Sequence, residues 1–157
     1  MTMTRPASIE PHIVETLYCE ALVLADEVRD AFDMSGRMSR VAENEDLARI
    51  ALSCEALRAT TRMMHVIAWL LNHRAYFNGE INDFQLRRHG RLPRDKGQAS
   101  AEQMALLPPD LARLVEHTSE FHARIARLDV QWHDEQAEGE GSIQALQDRL
   151  GKALGRI

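Results

Sequence analysis

Apolar residues recur at steps of three and four along most of the chain, which is the spacing of one face of an α-helix. The first such segment runs from Ser8 to Asp33. Pro11 suits its first turn, where a missing N–H breaks no hydrogen bond, and Gly36 suits its end. The pattern predicts an amphipathic helix with one core-facing stripe. That stripe consists of Ile13, Leu17, Ala21, Leu24, Val28 and Ala31.

A longer segment with the same spacing runs from Asn44 to Asn78. At 1.5 Å per residue, this helix would be roughly 50 Å long and would form the spine of the fold. Asn44 is a favourable N-cap residue, and Gly79 is a favourable stop. We expect a single seam of this helix to face its neighbours. The seam consists of Leu47, Ile50, Cys54, Leu57, Thr61, Met64, Ala68, Leu71 and Ala75.

A third segment, from Pro109 to Gln136, keeps an unbroken alternation of three- and four-residue steps. Such a seam favours packing at a shallow crossing angle, as in helical bundles. Its members are Leu111, Leu114, Thr118, Phe121, Ile125, Leu128 and Trp132. Strand signals, such as sustained alternation or Asn-Gly hairpins, are almost absent. The sequence therefore predicts an all-α fold, with a three-helix bundle over residues 8–136.

Two further segments complete the chain. The connector, residues 80–108, holds two short helical candidates, Asn82–His89 and Ala101–Leu107. Residues 137–157 contain Glu-Gly-Glu-Gly at positions 138–141, which predicts a flexible hinge. The amphipathic helix that follows is interpreted as a mobile binding element or a flap on the bundle, with a disordered tail as the alternative. Its apolar face consists of Ile143, Leu146, Leu150, Leu154 and Ile157.

The run Met63–Leu71 is apolar nearly all round, although one helix face uses only every third or fourth residue. This helix is therefore expected to be covered on more than one side. Neighbouring helices provide one explanation, and self-association or a docked partner provides the other. We favour the second and predict a homodimer. The interface residues assigned to it are Met63, Val66, Ile67 and Leu70.

Composition adds modest constraints. The chain has 157 residues, 45% hydrophobic and 27% charged, with a formal net charge of −5. An acidic balance argues mildly against nucleic-acid binding, because phosphate contacts need clustered Lys and Arg. The two cysteines, Cys19 and Cys54, lie in apolar helical patterns and are expected to be reduced and buried. Without a signal peptide or a span of about 20 apolar residues, we expect a cytoplasmic protein with no membrane contact.

Sequence motifs for catalysis and metal binding are missing. The seven histidines include no pair at i,i+4, and no Glu is followed by His three positions later. Cys-x-x-Cys, Gly-x-Ser-x-Gly and the phosphate-binding Gly-rich loop are also absent from the sequence. We therefore expect a non-enzymatic protein with no cofactor and no metal.

A basic cluster stands out in the connector, with only Asp95 as an internal counter-charge. It consists of Arg87, Arg88, Arg91, Arg94 and Lys96. One reading is a docking patch for an acidic partner, and the alternative function is a small helical nucleic-acid-binding or regulatory module that uses residues 87–96. A solvated loop is the simpler reading, because no aromatic stacking platform accompanies these charges.

The second helix resembles the RcdA family, the regulators of CtrA degradation of alphaproteobacteria. The segments that carry the resemblance are 57–64 (Leu-Arg-Ala-Thr-Thr-Arg-Met-Met), 68–75 (Ala-Trp-Leu-Leu-Asn-His-Arg-Ala) and 79–81 (Gly-Glu-Ile). Leu107-Pro108 and Arg127-Leu128-Asp129 fit the same pattern, as do the helix order and the apolar tail. The polar residues at the centre of the motif are Arg58, Thr60, Thr61 and Arg62.

The resemblance implies a dimeric three-helix bundle with a mobile C-terminal segment. It also implies an adaptor that delivers cell-cycle regulators, such as CtrA-like cargo, to the protease ClpXP. In that family the adaptor works with the response-regulator-like CpdR and, for some cargo, with the cyclic-di-GMP effector PopA. Since Arg58 and Arg62 share a helix face, at least one is expected to meet a carboxylate on another helix or subunit. The candidates are Asp26, Glu27 and Asp129.

Overall fold

Five helices make up the described part of the chain, residues 9–34, 46–97 and 100–155 of a computed structural model, and no strand occurs among these residues. They are α1 (Pro11–Met34), α2 (Asp46–Phe77), α3 (Asp83–His89), α4 (Ala101–Ala105) and α5 (Pro109–Leu154). The predicted all-α class is therefore confirmed. The positions proposed for the end of the first helix, Ser35-Gly36, and for the N-cap of the second, Asn44, lie outside the described residues.

The three long helices pack around one core, with α1 antiparallel to α2 and α5 parallel to α2. The start of α1 lies beside the end of α2, where Arg74 Nε is 2.6 Å from Glu15 Oε1. Contacts between α2 and α5 move towards the C-terminal ends of both helices together, from Arg62–Thr118 to Trp69–Asp129. The core side chains are aliphatic apart from Phe121, Trp69 and Trp132. This arrangement needs a connector that runs back along the length of α2.

The connector begins where a glycine stops α2. Gly79 has a φ of +77°, and the N–H of Glu80 donates to the carbonyl of Ala75, which together close the helix end. Asn82 then starts α3 with a reciprocal capping box to Gln85. The chain returns past Arg62 and His122 before Ser100 caps α4. Both short helices predicted in the connector therefore form.

The predicted core faces of α1 and α5 are confirmed, whereas the predicted seam of α2 is wrong. Leu57 is 70% exposed and Met64 is 64% exposed, and Leu47, Ile50 and Leu71 also face outward. The buried face of α2 instead includes Ala59, Met63, Val66, Trp69 and Leu70. The reason is that α2 carries apolar residues on two faces, and helical spacing alone does not say which face turns inward.

The predicted break near residues 138–141 is also wrong, because α5 continues unbroken through Gly139 and Gly141 to Leu154. Glycine inside a helix costs about 1 kcal/mol relative to alanine, which lowers helix stability without forbidding the helix. The ring of Phe77, at the end of α2, lies 6.0 Å from that of Trp132. Beyond this level α5 has no length of α2 opposite it, so residues 138–155 are exposed.

The prediction that both cysteines are buried is wrong. Cys19 is exposed on α1 and Cys54 is partly buried on α2. Cys54 belongs to the α2 seam that faces outward, and Cys19 lies beside the buried stripe of α1 and not within it.

Candidate interaction surfaces

The residues predicted to form a dimer interface lie inside the bundle. Met63, Val66 and Leu70 are 2%, 0% and 0% exposed, and only Ile67 is partly accessible at the edge of the core. This part of the prediction is wrong for Met63, Val66 and Leu70. They face α1 and α5, so neighbouring helices of the same chain supply the covering that the apolar run requires.

A different face of α2 is exposed and has no described helix against it, and we call it the outer seam. Its positions alternate by three and four over 25 residues, which is the heptad spacing of helices that pair side by side. Leu47, Ile50, Leu57, Met64 and Leu71 are its large exposed apolar members. Cys54, Thr61 and Ala68 fill the intervening positions. An exposed apolar stripe of this length is typical of a protein–protein interface.

The second uncovered face is the tail stripe, formed by Ile143, Leu146, Leu150 and Leu154. All four side chains are more than half exposed. The stripe is helical, as the sequence predicted, and Ile157 lies outside the described residues. It continues the core-facing side of α5, since Ile143 follows Ile125 by eighteen residues, or five full turns at 3.6 residues per turn. The face that packs on α2 in the first part of α5 therefore projects past the bundle, and none of the described helices lies against it there.

The motif arginines take partners other than those predicted. Arg62 is buried; its Nε donates to Asp95 Oδ2 at 2.7 Å, and its Nη1 donates to Thr118 Oγ1 at 2.7 Å. Arg58 pairs with the buried carboxylate of Glu55, one turn earlier on α2. Arg62 thus joins the connector to α2 and α5. Thr60 and Thr61 are exposed on the same helix.

Asp129, proposed as a partner of these arginines, instead accepts a hydrogen bond from Trp69. The indole Nε1 lies 2.8 Å from Asp129 Oδ1, and both residues are buried. Arg91 and His133 approach the same carboxylate at 3.8 and 3.5 Å. This network joins two segments that carry the family resemblance, Trp69 on α2 and Asp129 on α5.

An aromatic cluster extends from this network. The imidazole of His73 stacks on the ring of Trp69 with centroids 3.7 Å apart, and Trp132 meets its edge at 5.4 Å. His73 Nδ1 lies 2.9 Å from the Trp69 carbonyl oxygen. Because a carbonyl only accepts, the neutral ring carries its proton on Nδ1. Burial lowers the pKa of His73 below its ordinary value of 6.5.

His122 holds the connector against α5. Its Nε2 lies 3.2 Å from the carbonyl oxygen of Pro93, so it donates to the connector backbone. Burial lowers the pKa of His122 below 6.5, and this outweighs the nearby carboxylate of Asp95. Both buried histidines are therefore neutral near pH 7 and serve the packing.

The predicted docking patch is smaller than the sequence indicated. Arg87 pairs with Asp83 at 2.9 Å and also with Glu140 of α5, while Arg91 faces Asp129. Arg87 and Arg91 are therefore not free cations. The i,i+4 spacing of Asp83 and Arg87 is visible in the sequence, whereas the approach of Glu140 and Asp129 from α5 is not. Arg88 and Arg94 remain exposed.

A groove between α2 and the connector gathers several of the remaining cations. It has a volume of about 420 Å³. We call it the cationic groove, and its walls are Leu57, Arg58, Thr61, Arg62, His65, Pro93, Arg94, Asp95 and Lys96. Sequence reasoning missed this groove and the Trp69–Asp129 pair, because both depend on how the connector and α5 lie against α2.

Neither a metal-ligand cluster nor a membrane-spanning helix occurs within the described ranges. No group of three or more His, Cys, Asp or Glu side chains there is arranged to hold a metal ion. No helix in the same ranges is both long and apolar enough to cross a membrane.

Comparison with known proteins yields one match. A family model described as a protein of unknown function, DUF1465, covers residues 6–154. No curated protein and no solved structure matches the chain.

Proposed function

The chain belongs to the DUF1465 family, and we propose that it is a non-enzymatic adaptor that binds other proteins. The observation that carries this proposal is that the core closes without either the outer seam or the tail stripe, yet both stripes are long, apolar and exposed. Leaving such surfaces in water is unfavourable, and covering them with a partner is the usual reason that a folded chain has them.

We further propose that the adaptor helps to deliver CtrA-like cell-cycle regulators to ClpXP through a CpdR-like protein in the cytoplasm. The support is the resemblance of residues 57–81 and 127–129 to the RcdA family. An adaptor needs no bond chemistry, because tethering cargo and protease together raises the effective concentration of one near the other.

A homodimer is part of the proposal, with the outer seam in place of the buried residues first assigned. The seam has the heptad spacing that lets a second long helix pack alongside. Its members at every seventh position, Ile50, Leu57, Met64 and Leu71, are all large and apolar. The tail stripe is then left for partner proteins, in the manner of an amphipathic helix that enters a groove.

The deciding experiment is a reconstituted degradation assay. Purified ClpXP, a CpdR-like protein and a CtrA-like substrate are mixed with the full chain or with a chain truncated after Ala137. We expect the full chain to accelerate substrate loss and the truncated chain to lose most of that effect. If neither chain changes the rate and neither co-purifies with these proteins from lysate, the adaptor proposal is wrong.

A further inference from the structure

The cationic groove is built from groups that are already held in place. The Arg62–Asp95 pair and the bond from His122 to the Pro93 carbonyl fix the connector against α2 and α5. Gly97 closes one end with a φ of +125°, and a Cβ there would lie 3.3 Å from Arg58 Nε. A preorganised groove loses less entropy on binding than one that must first form.

Two cations of the groove have no acidic partner among the residues that the structure describes. Arg62 is matched by Asp95, and Arg58 is matched by Glu55. Arg94 and Lys96 have no carboxylate within ion-pair distance among the described residues, and both are exposed. The groove lining carries four cations and one carboxylate, and the Glu55 carboxylate paired with Arg58 leaves an excess of two positive formal charges, in a chain whose net charge is −5. A concave surface with one sign of charge concentrates ligands of the other sign.

The groove also has an apolar wall. Leu57 is 70% exposed, and Pro93 faces it from the connector. Simple anions would gain nothing from these groups. Single-stranded nucleic acid would stack its bases on large aromatic rings, and the groove lining has the imidazole of His65 but no Phe, Tyr or Trp. A polypeptide with acidic and aliphatic side chains would use both the cations and the apolar wall.

We propose that the cationic groove binds an acidic, aliphatic-rich peptide segment of a partner protein. This deepens the proposed function, on which it rests, by naming the chemistry of one partner. The segment would lie between α2 and the connector, with its carboxylates at Arg94 and Lys96 and an apolar side chain against Leu57. Leu57 and Thr61 belong to both the cationic groove and the outer seam. The segment would therefore lie along the edge of the proposed dimer contact.

The test uses the full chain and three labelled eight-residue peptides, with alternating Glu and Leu, Gln and Leu, or Lys and Leu. Fluorescence anisotropy is recorded in low and moderate salt. We expect only the Glu–Leu peptide to bind, with affinity that falls as salt rises. The double variant Arg94→Glu/Lys96→Glu should weaken binding at least tenfold, and Leu57→Ser should weaken it severalfold.

The matched control is Arg149→Glu/Lys152→Glu, which makes the same charge change at two exposed positions of α5 away from the groove. It should bind the Glu–Leu peptide within twofold of the unaltered chain. Equal losses in both double variants would mean attraction by overall charge and would overturn the proposal. So would tighter binding of a single-stranded oligonucleotide than of the peptide, or no peptide binding at all.

Sedimentation of the same samples separates this inference from the broader one. The Arg94→Glu/Lys96→Glu variant alters neither the outer seam nor the tail stripe, so the oligomeric state and tail-dependent co-purification should persist in it. If those persist while the Glu–Leu peptide fails to bind, the groove proposal is wrong and the adaptor proposal stands. If the peptide binds but cargo delivery is absent, the adaptor proposal is wrong instead.

Discussion

At the scale of single residues, the unusual feature is how many charged groups lie inside the bundle and find partners there. Glu55, Arg62 and Asp129 are each less than 5% exposed. Each has a hydrogen-bond partner, so none is an isolated buried charge. Removing one member of such a pair leaves the other without water or a partner, which costs more than the pair itself contributes.

We therefore predict that Asp129→Ala destabilises the protein by about 2 kcal/mol, because the buried indole N–H of Trp69 loses its acceptor. Urea unfolding followed by tryptophan fluorescence measures the change. Asp134→Ala is the matched control, since Asp134 is exposed on the same helix and should change stability by less than about 0.5 kcal/mol. Equal effects of the two changes would contradict the importance of the Trp69–Asp129 pair.

The buried histidines predict how stability depends on pH. Burial lowers the pKa of His73 and His122 in the folded chain, so below about pH 6.5 the unfolded chain binds protons that the folded chain does not. Stability is therefore complete above pH 6.5 and falls as the pH drops towards the lowered pKa. His122→Gln keeps an N–H donor for Pro93 without titrating, and it should flatten the dependence between pH 5 and 7. An unchanged slope of urea midpoint against pH would refute the assignment.

At the scale of elements, α2 is a helix with two apolar faces, one inside the bundle and one outside. Adjacent methionines lie on either side of the boundary, with Met63 2% exposed and Met64 64% exposed. The same substitution at these two positions therefore separates core from surface with no change in chemistry.

We predict that Met63→Asp costs about 4 kcal/mol or more, because it removes a buried side chain and places a carboxylate in the core. Met64→Asp should leave the thermal midpoint nearly unchanged and convert the proposed dimer to a monomer. Circular dichroism and sedimentation velocity give the two readings. An unaltered chain that sediments as a monomer at micromolar concentration would count against the dimer, and unfolding of Met64→Asp would place that residue in the core.

The sequence predicts a hinge at residues 138–141, whereas the structure has a continuous α5 there. Nothing lies within 4 Å of a Cβ built at Gly139 or Gly141, so alanine fits both positions. We predict that Gly139→Ala/Gly141→Ala raises the local stability of the helix by about 1 kcal/mol per glycine. Amide exchange across residues 138–142 should therefore become slower. Because α5 is already continuous here, partner binding should be retained. A tenfold loss of binding would mean instead that the tail must bend to engage its partner.

At the scale of the whole molecule, the bundle and the projecting end of α5 are energetically separate. Residues 138–155 are exposed, and within the described part of the chain a surface ion pair between Arg87 and Glu140 joins them to the rest of the bundle. Surface pairs contribute about 0–1 kcal/mol, so the bundle does not depend on this segment.

Truncation after Ala137 should accordingly shift the thermal midpoint by less than about 3 °C, while partner binding falls at least tenfold, roughly 1.4 kcal/mol. Differential scanning calorimetry and binding to the purified partner check the two halves. A truncated chain that fails to fold would show that the end of α5 is needed for the folded core. A truncated chain that folds and binds normally would move the binding surface to the bundle.

The sequence by itself determined the helices and two of the three core faces. The core stripes of α1 and α5 each lie on one helix face, so any bundle that buries them turns the same face inward. Local backbone chemistry fixes the helix ends at Pro11, Gly79 and Asn82. Local spacing also predicted the tail stripe, because that stripe is a property of one helix.

Only the tertiary structure decided which face of α2 turns inward, where Arg62 and Asp129 find their partners, and that the connector and α2 enclose a cationic groove. These features depend on residues far apart in the chain, such as Arg62 with Asp95 and Trp69 with Asp129. Helical periodicity contains no information about which distant side chain will lie opposite. For a helix with two apolar faces, the choice depends on which one its neighbours fit, and that is a property of the packed molecule.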